Sequence, residues 1–92
     1  MVIWKYPIQL SDVSMKSNLL IISMPVGARL LTAQVQREVP CIWALVDPTM
    51  NTEPRKFYIF GTGDETDHFP ESTYIGTFQL ERLGHVFHVF AE

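Results

Sequence analysis

The run Pro40-Cys41-Ile42-Trp43-Ala44-Leu45-Val46-Asp47-Pro48 constrains this chain more than any other stretch. Proline cannot donate to a sheet ladder, so the two prolines mark where pairing begins and ends. The apolar segment between them is too short for a typical buried helix and reads as a strand covered on both faces. An all-β core is therefore expected, with Trp43 as its anchor.

Short β-prone segments separated by Pro, Gly, Asp and Asn recur along the rest of the chain. Residues 2–6 are aromatic and β-branched and stop at Pro7. Residues 9–16 mix polar and apolar types and read as a loop. Residues 18–23 carry Leu19-Leu20-Ile21-Ile22, and Met24-Pro25-Val26-Gly27 fits a β-turn with Pro second and Gly fourth, closing a hairpin. Over residues 29–36, Leu31, Ala33 and Val35 share one face while Thr32, Gln34 and Gln36 share the other. The link Arg37-Glu38-Val39 joins this strand to the proline-bracketed one as an antiparallel hairpin. Residues 49–54 read as loop, and 55–60 as a strand ending at Gly61-Thr62-Gly63. Residues 73–80 and 86–90 form a last hairpin around Glu81-Arg82-Leu83-Gly84. Six to seven short strands without a crossover helix predict a small antiparallel β-sandwich or partly open barrel, as a single β domain over 1–92.

Seven Lys and Arg against ten Asp and Glu leave a net charge of −3, which offers no basic field to recruit phosphates, so generic nucleic acid binding is not expected. The opening Met-Val-Ile-Trp-Lys-Tyr-Pro lacks a basic segment followed by an apolar one, so neither export nor membrane insertion is expected. The lone Cys41 builds no disulfide framework and sits inside the apolar strand, where a thiol packs as a small hydrophobe and fits a reducing cytosol.

No catalytic signature and no cofactor motif emerge. His85 and His88 stand three apart on a strand and so point to opposite faces, which rules against shared metal ligation without a bulge. His68 lies among Asp64, Asp67 and Glu71 without calcium-loop spacing. Gly61-Thr62-Gly63 follows a strand and can present backbone N–H groups to an anion, with Arg55 and Lys56 as nearby cations, although the phosphate-loop Lys-Ser/Thr pair and helix are missing. Arg55, Lys56, Gly61, Thr62 and Gly63 are thus the candidate small-anion or nucleotide site. Trp4 and Tyr6 share a face of the first strand and, with the acidic run containing Asp64, Glu65 and Asp67, make the candidate partner surface. Edge strands can pair between copies, which leaves room for a homo-oligomer.

Taken in order, Trp4-Lys5-Tyr6, Met24-Pro25-Val26-Gly27-Ala28, Val35-Gln36, Leu45-Val46-Asp47-Pro48, Ile59-Phe60-Gly61-Thr62-Gly63, Tyr74-Ile75-Gly76-Thr77-Phe78 and Phe87-His88-Val89-Phe90 resemble a family of small uncharacterised proteins found in tailed phages and prophages. The resemblance covers nearly the whole chain. It implies a viral accessory protein made in the bacterial host cytoplasm, a setting where small folded proteins block host immunity by binding one component. The expected function is non-enzymatic, stoichiometric binding to a host protein. Sequestration of a small anion and a minor virion or assembly role are the alternatives.

Overall fold

A computed structural model describes residues 1–66 and 72–92. Seven strands are described, β1 (Val2–Pro7), β2 (Leu19–Pro25), β3 (Arg29–Gln36), β4 (Val39–Val46), β5 (Thr52–Gly61), β6 (Thr73–Leu80) and β7 (His85–Ala91), with one 3₁₀ turn at Leu10–Asp12. They form two antiparallel sheets, β1-β4-β3 and β2-β5-β7-β6, stacked as a sandwich that does not close into a barrel.

Two of the three hairpins expected from local sequence are present. Between β3 and β4 the loop is only Arg37-Glu38, and both residues take positive φ (49° and 68°), as the right-handed twist of a two-residue hairpin demands. Neither residue is Gly, Asn or Asp, so each carries about 1 kcal/mol of strain. Between β6 and β7 the pairing runs from Thr73↔Ala91 to Leu80↔His85.

The turn after β2 departs from expectation. It spans Pro25 to Ala28, whose N–H donates to the Pro25 carbonyl (3.1 Å), with Gly27 supplying φ +80° at the third position. It closes no hairpin, because β2 pairs with β5 while β3 belongs to the other sheet. A β-turn reverses the chain but does not choose its neighbour. Here the corner is pinned by the Val26 N–H on the Asn51 carbonyl, and Met24 stays in the core at full burial.

Strand β5 also starts earlier than Arg55, running through Pro54. Lys56 accepts from the Glu92 N–H, so even-numbered residues of β5 turn their backbone toward β7. The missing N–H of Pro54 points past the end of β7, whose pairing begins at Phe57↔Ala91, and no ladder bond is lost.

The core lies between the sheets: Leu20, Met24, Phe57, Ile59, Phe78, Leu80 and Val89 from one, Ala33, Ile42, Ala44 and Val46 from the other. Trp43 is not among them. Alternation along β4 sends Ile42, Ala44 and Val46 inward at zero exposure, which leaves Cys41, Trp43 and Leu45 on the outward face. The proline-bracketed strand is therefore fully covered on one face only, and the core anchor is Phe57.

In β3, a register shift between Leu30 and Thr32 bulges Leu31 out to 44 % exposure and puts Leu30, not Leu31, on the face of Ala33 and Val35. β6 has a matching irregularity between Tyr74 and Gly76. The two sheets meet along these bends: a β-carbon at Gly76 would collide with the Ala33 carbonyl oxygen and come within 3.0 Å of the Ala33 nitrogen. Only glycine permits this seam.

Candidate functional site

The sequence-derived anion site does not assemble. Arg55 and Gly61 stand six residues apart on one strand, about 20 Å at 3.3 Å per residue. Arg55 and Lys56 point to opposite faces, and the Arg55 Nη1 donates to the Ala28 carbonyl (2.8 Å). The shallow cleft at that end is shared with the carboxylates of Glu53 and Glu92. At the other end, Gly61-Thr62-Gly63 is a turn whose third residue has φ +93°. The donors of its first two residues are already committed, Gly61 N–H to Asp64 Oδ2 (2.8 Å) and Thr62 N–H to the Val86 carbonyl (3.2 Å), and the Asp64 N–H closes the turn on the Gly61 carbonyl (3.1 Å). A carboxylate thus occupies the position an anion would take.

Asp64 serves as a turn brace, Glu65 is exposed, and Asp67 and His68 lie outside the described residues. His85 and His88 occupy opposite faces of β7. His85 stacks edge-on against Phe87 with centroids 5.8 Å apart. On the outward face, His88 Nε2 meets Thr62 Oγ1 (2.7 Å) and its Nδ1 meets Thr77 Oγ1 (3.0 Å), which meets the Tyr74 hydroxyl (2.6 Å). This chain ties the turn after β5 to β6 and β7 and engages both ring nitrogens of His88. Beside it, Phe60, Thr62, His88 and Phe90 line a cleft of about 420 Å³.

Trp4 and Tyr6 share a face of β1, with ring centroids 6.5 Å apart at 60°. That face is the inner one: Trp4 lies opposite Ala44 and Tyr6 opposite Ile42. Tyr6 packs against the core, and burial pushes its phenol above the ordinary range. Trp4 remains 42 % exposed because β1 is the outermost strand of its sheet.

The surface that sequence reading missed is the outward face of β1-β4-β3. The outward side of a sandwich sheet is ordinarily polar. Here it carries Ile3 at 61 % exposure, with Leu45 and Trp43 half-buried and Cys41 buried. Lys5 lies opposite Trp43 and reaches across β4 to give its Nζ to Gln36 Oε1 (2.8 Å). That crossing covers Cys41, whose thiol burial raises above its ordinary range, against the weaker opposing effect of the Lys5 charge. Lys5, Pro7, Gln36, Arg37, Val39 and Cys41 line a concavity of about 450 Å³. Arg29 flanks the opposite end next to Leu45. None of the ten Asp and Glu falls within these three strands. The signal was available in Cys41-Ile42-Trp43-Ala44-Leu45, where the larger residues fall on the alternate positions that turned outward.

Among the described residues no group of three or more His, Cys, Asp or Glu is placed to hold a metal ion, and no helix is long and apolar enough to cross a membrane. A family model described as a domain of unknown function (DUF7352) matches residues 1–92. The chain belongs to this family. No curated protein and no solved structure matches it significantly. This DUF7352 chain presents one sheet face with Ile3, Trp43 and Leu45 outward between flanking cations, and one hydrogen-bonded sheet face.

Proposed function

We propose that this DUF7352 protein is a non-enzymatic phage accessory protein that works in the bacterial host cytoplasm by stoichiometric binding, occluding one component of a host defence system. The observation that carries this reading is the outward placement of Trp43 and Leu45 beside exposed Ile3 in a sheet face without carboxylates. Contiguous outward apolar surface of this kind marks interaction sites, and half-buried Trp is a frequent anchor of binding energy. Lys5, Arg29 and Arg37 at the rim favour a partner whose contact surface is apolar at its centre and acidic around it. The chemically versatile side chains point the same way, because His88, Asp64 and Cys41 each serve the fold.

The test is capture from phage-infected host cells by tagged protein, followed by titration of the recovered partner. Wild type is expected to saturate one host polypeptide at equimolar ratio. Leu45→Glu with Arg29→Glu should lose it while melting normally, and retained capture by that variant would reject this face. Native mass spectrometry of the same material separates the alternative, since a co-purifying small anion in place of a polypeptide would favour sequestration.

A further inference from the structure

The open edge of β1, whose Ile3 and Lys5 also border the binding face just described, has a backbone chemistry of its own. The Ile8 N–H donates to the Pro40 carbonyl (2.8 Å), which fixes the parity of the β1–β4 ladder. Val2, Trp4 and Tyr6 turn their backbone groups toward β4, where they oppose Val46, Ala44 and Ile42. Ile3 and Lys5 therefore aim both N–H and C=O away from the sheet. Among the described residues no strand pairs with that edge. The other edges differ: β3 and β6 run against each other at the glycine seam, and on β2 the outward carbonyl of Leu19 accepts from the Ser14 N–H (2.9 Å) while Pro25 ends the strand.

Natural edge strands are blunted by charge, proline or bulges. β1 has one charge and no bulge, and its proline comes last. Three of its exposed residues are large and apolar, Val2 at 42 %, Ile3 at 61 % and Trp4 at 42 %, beside exposed Lys5 and Pro7. Trp4 lies on the core face of its sheet yet stays half uncovered, because nothing described lies beyond it on that sheet.

We infer that the occupant of this edge is a second copy of the chain, with β1 pairing antiparallel to β1 of its partner about a two-fold axis at Trp4, so that the two three-stranded sheets become one six-stranded sheet. The register follows from the residues. Centred on Trp4, all of Val2, Ile3, Trp4, Lys5 and Tyr6 pair. Ile3 of one copy opposes Lys5 of the other, and these pairs exchange four ladder bonds. Trp4 opposes Trp4 at the close, non-hydrogen-bonded position, and Val2 opposes Tyr6, so one face of the junction is apolar and aromatic throughout. Centring on Lys5 would bring two like charges face to face and extend the pairing to Pro7, which has no N–H. Centring on Ile3 would pair only Val2, Ile3 and Trp4 within the strand. With five residues paired per copy, the interface falls below the ~800 Å² per partner of a standard complex, so the dimer should dissociate on dilution.

Sedimentation velocity of the whole chain over a wide concentration range is the test. The average mass should climb from one chain toward two as concentration rises. Ile3→Pro removes an outward N–H that β4 does not use, deleting one ladder bond from each copy. It should shift half-association at least tenfold upward, with an unchanged far-ultraviolet spectrum. Ile21→Lys on β2 should leave association intact. Register is read independently: across the Trp4 pair the Cα atoms would stand about 4.5 Å apart, within disulfide reach. Trp4→Cys should therefore link two chains under mild oxidation, while Ile3→Cys and the wild type with its buried Cys41 should not. One-chain mass at every concentration, association indifferent to Ile3→Pro, or linkage through Ile3→Cys in preference to Trp4→Cys would each overturn the inference.

Discussion

On the four-stranded sheet the outward polar groups are tied to one another. Thr62, His88, Thr77 and Tyr74 form a continuous hydrogen-bonded chain, and the Tyr58 hydroxyl donates to Glu92 Oε2 at 2.9 Å. On the three-stranded sheet the outward positions of β1 and β4 hold Ile3, Trp43, Leu45 and Cys41, β3 adds Thr32 and Gln34, and a side-chain bridge runs from Lys5 to Gln36. Both sheets bury an apolar inner face against the same core. They differ in how completely each has satisfied itself within the monomer. A sheet whose outer polar groups are mutually bonded has little left to offer a partner, whereas one that leaves large apolar side chains uncovered gains by being covered.

The difference can be broken most forcefully through the two aromatic anchors. Phe57→Ala, in the core at zero exposure, should cost about 3–5 kcal/mol in denaturant unfolding. Trp43→Ala, on the outward face, should cost only about 1–1.5 kcal/mol, half the value of full burial. Equal losses would return Trp43 to the core and remove the basis for the binding face.

The seam that holds the sheets at their present angle is the next lever. Gly76→Ala places a methyl against the Ala33 carbonyl and should cost about 1–3 kcal/mol of overpacking. A variant with unchanged stability would show that β3 and β6 are not in backbone contact.

Two changes sharpen the contrast between the outward faces. Replacing Arg37-Glu38 with Asn-Gly relieves two positive-φ strains and should raise stability by about 1 kcal/mol, while removing a rim cation from the binding face. His88→Ala interrupts the bonded chain and should lower stability by about 1 kcal/mol without touching partner capture. The opposite assignment of effects, with His88→Ala losing the partner, would exchange the roles of the two sheets.

The smallest effect is electrostatic. Asp47 accepts from both the Thr49 hydroxyl (2.7 Å) and the Thr49 N–H (3.0 Å), and these bonds hold its carboxyl below the ordinary 3.8. A depressed carboxyl contributes stability above its unfolded value and loses it as pH falls through the folded one. Asp47→Asn should therefore melt slightly below wild type near neutrality, and the two melting curves should converge in acid below 3.8. A difference that persists in acid would assign the effect to packing.

Much of the architecture was legible from residue order. Alternation and proline placement mark the strands, and the tight Arg37-Glu38 link commits β3 to β4 because two residues leave no other reach. The β6–β7 hairpin is equally local. The turn at residues 25–28 was visible as a turn, yet its strands part company, since what β2 pairs with depends on a strand some thirty residues away. The candidate anion site failed for the same kind of reason: Arg55, Lys56 and Gly61 are close in sequence, but an extended strand is the conformation that separates sequence neighbours most.

Composition and periodicity by themselves determined that this chain makes an all-β fold of short antiparallel strands, because local backbone preference and the two-residue repeat act within a few residues. Which side of the proline-bracketed strand meets the core was a tertiary decision. Periodicity divides Cys41, Trp43 and Leu45 from Ile42, Ala44 and Val46 without saying which set is inside. The narrow space between sheets, with Gly76 pressed against Ala33, took the smaller set and turned the tryptophan out.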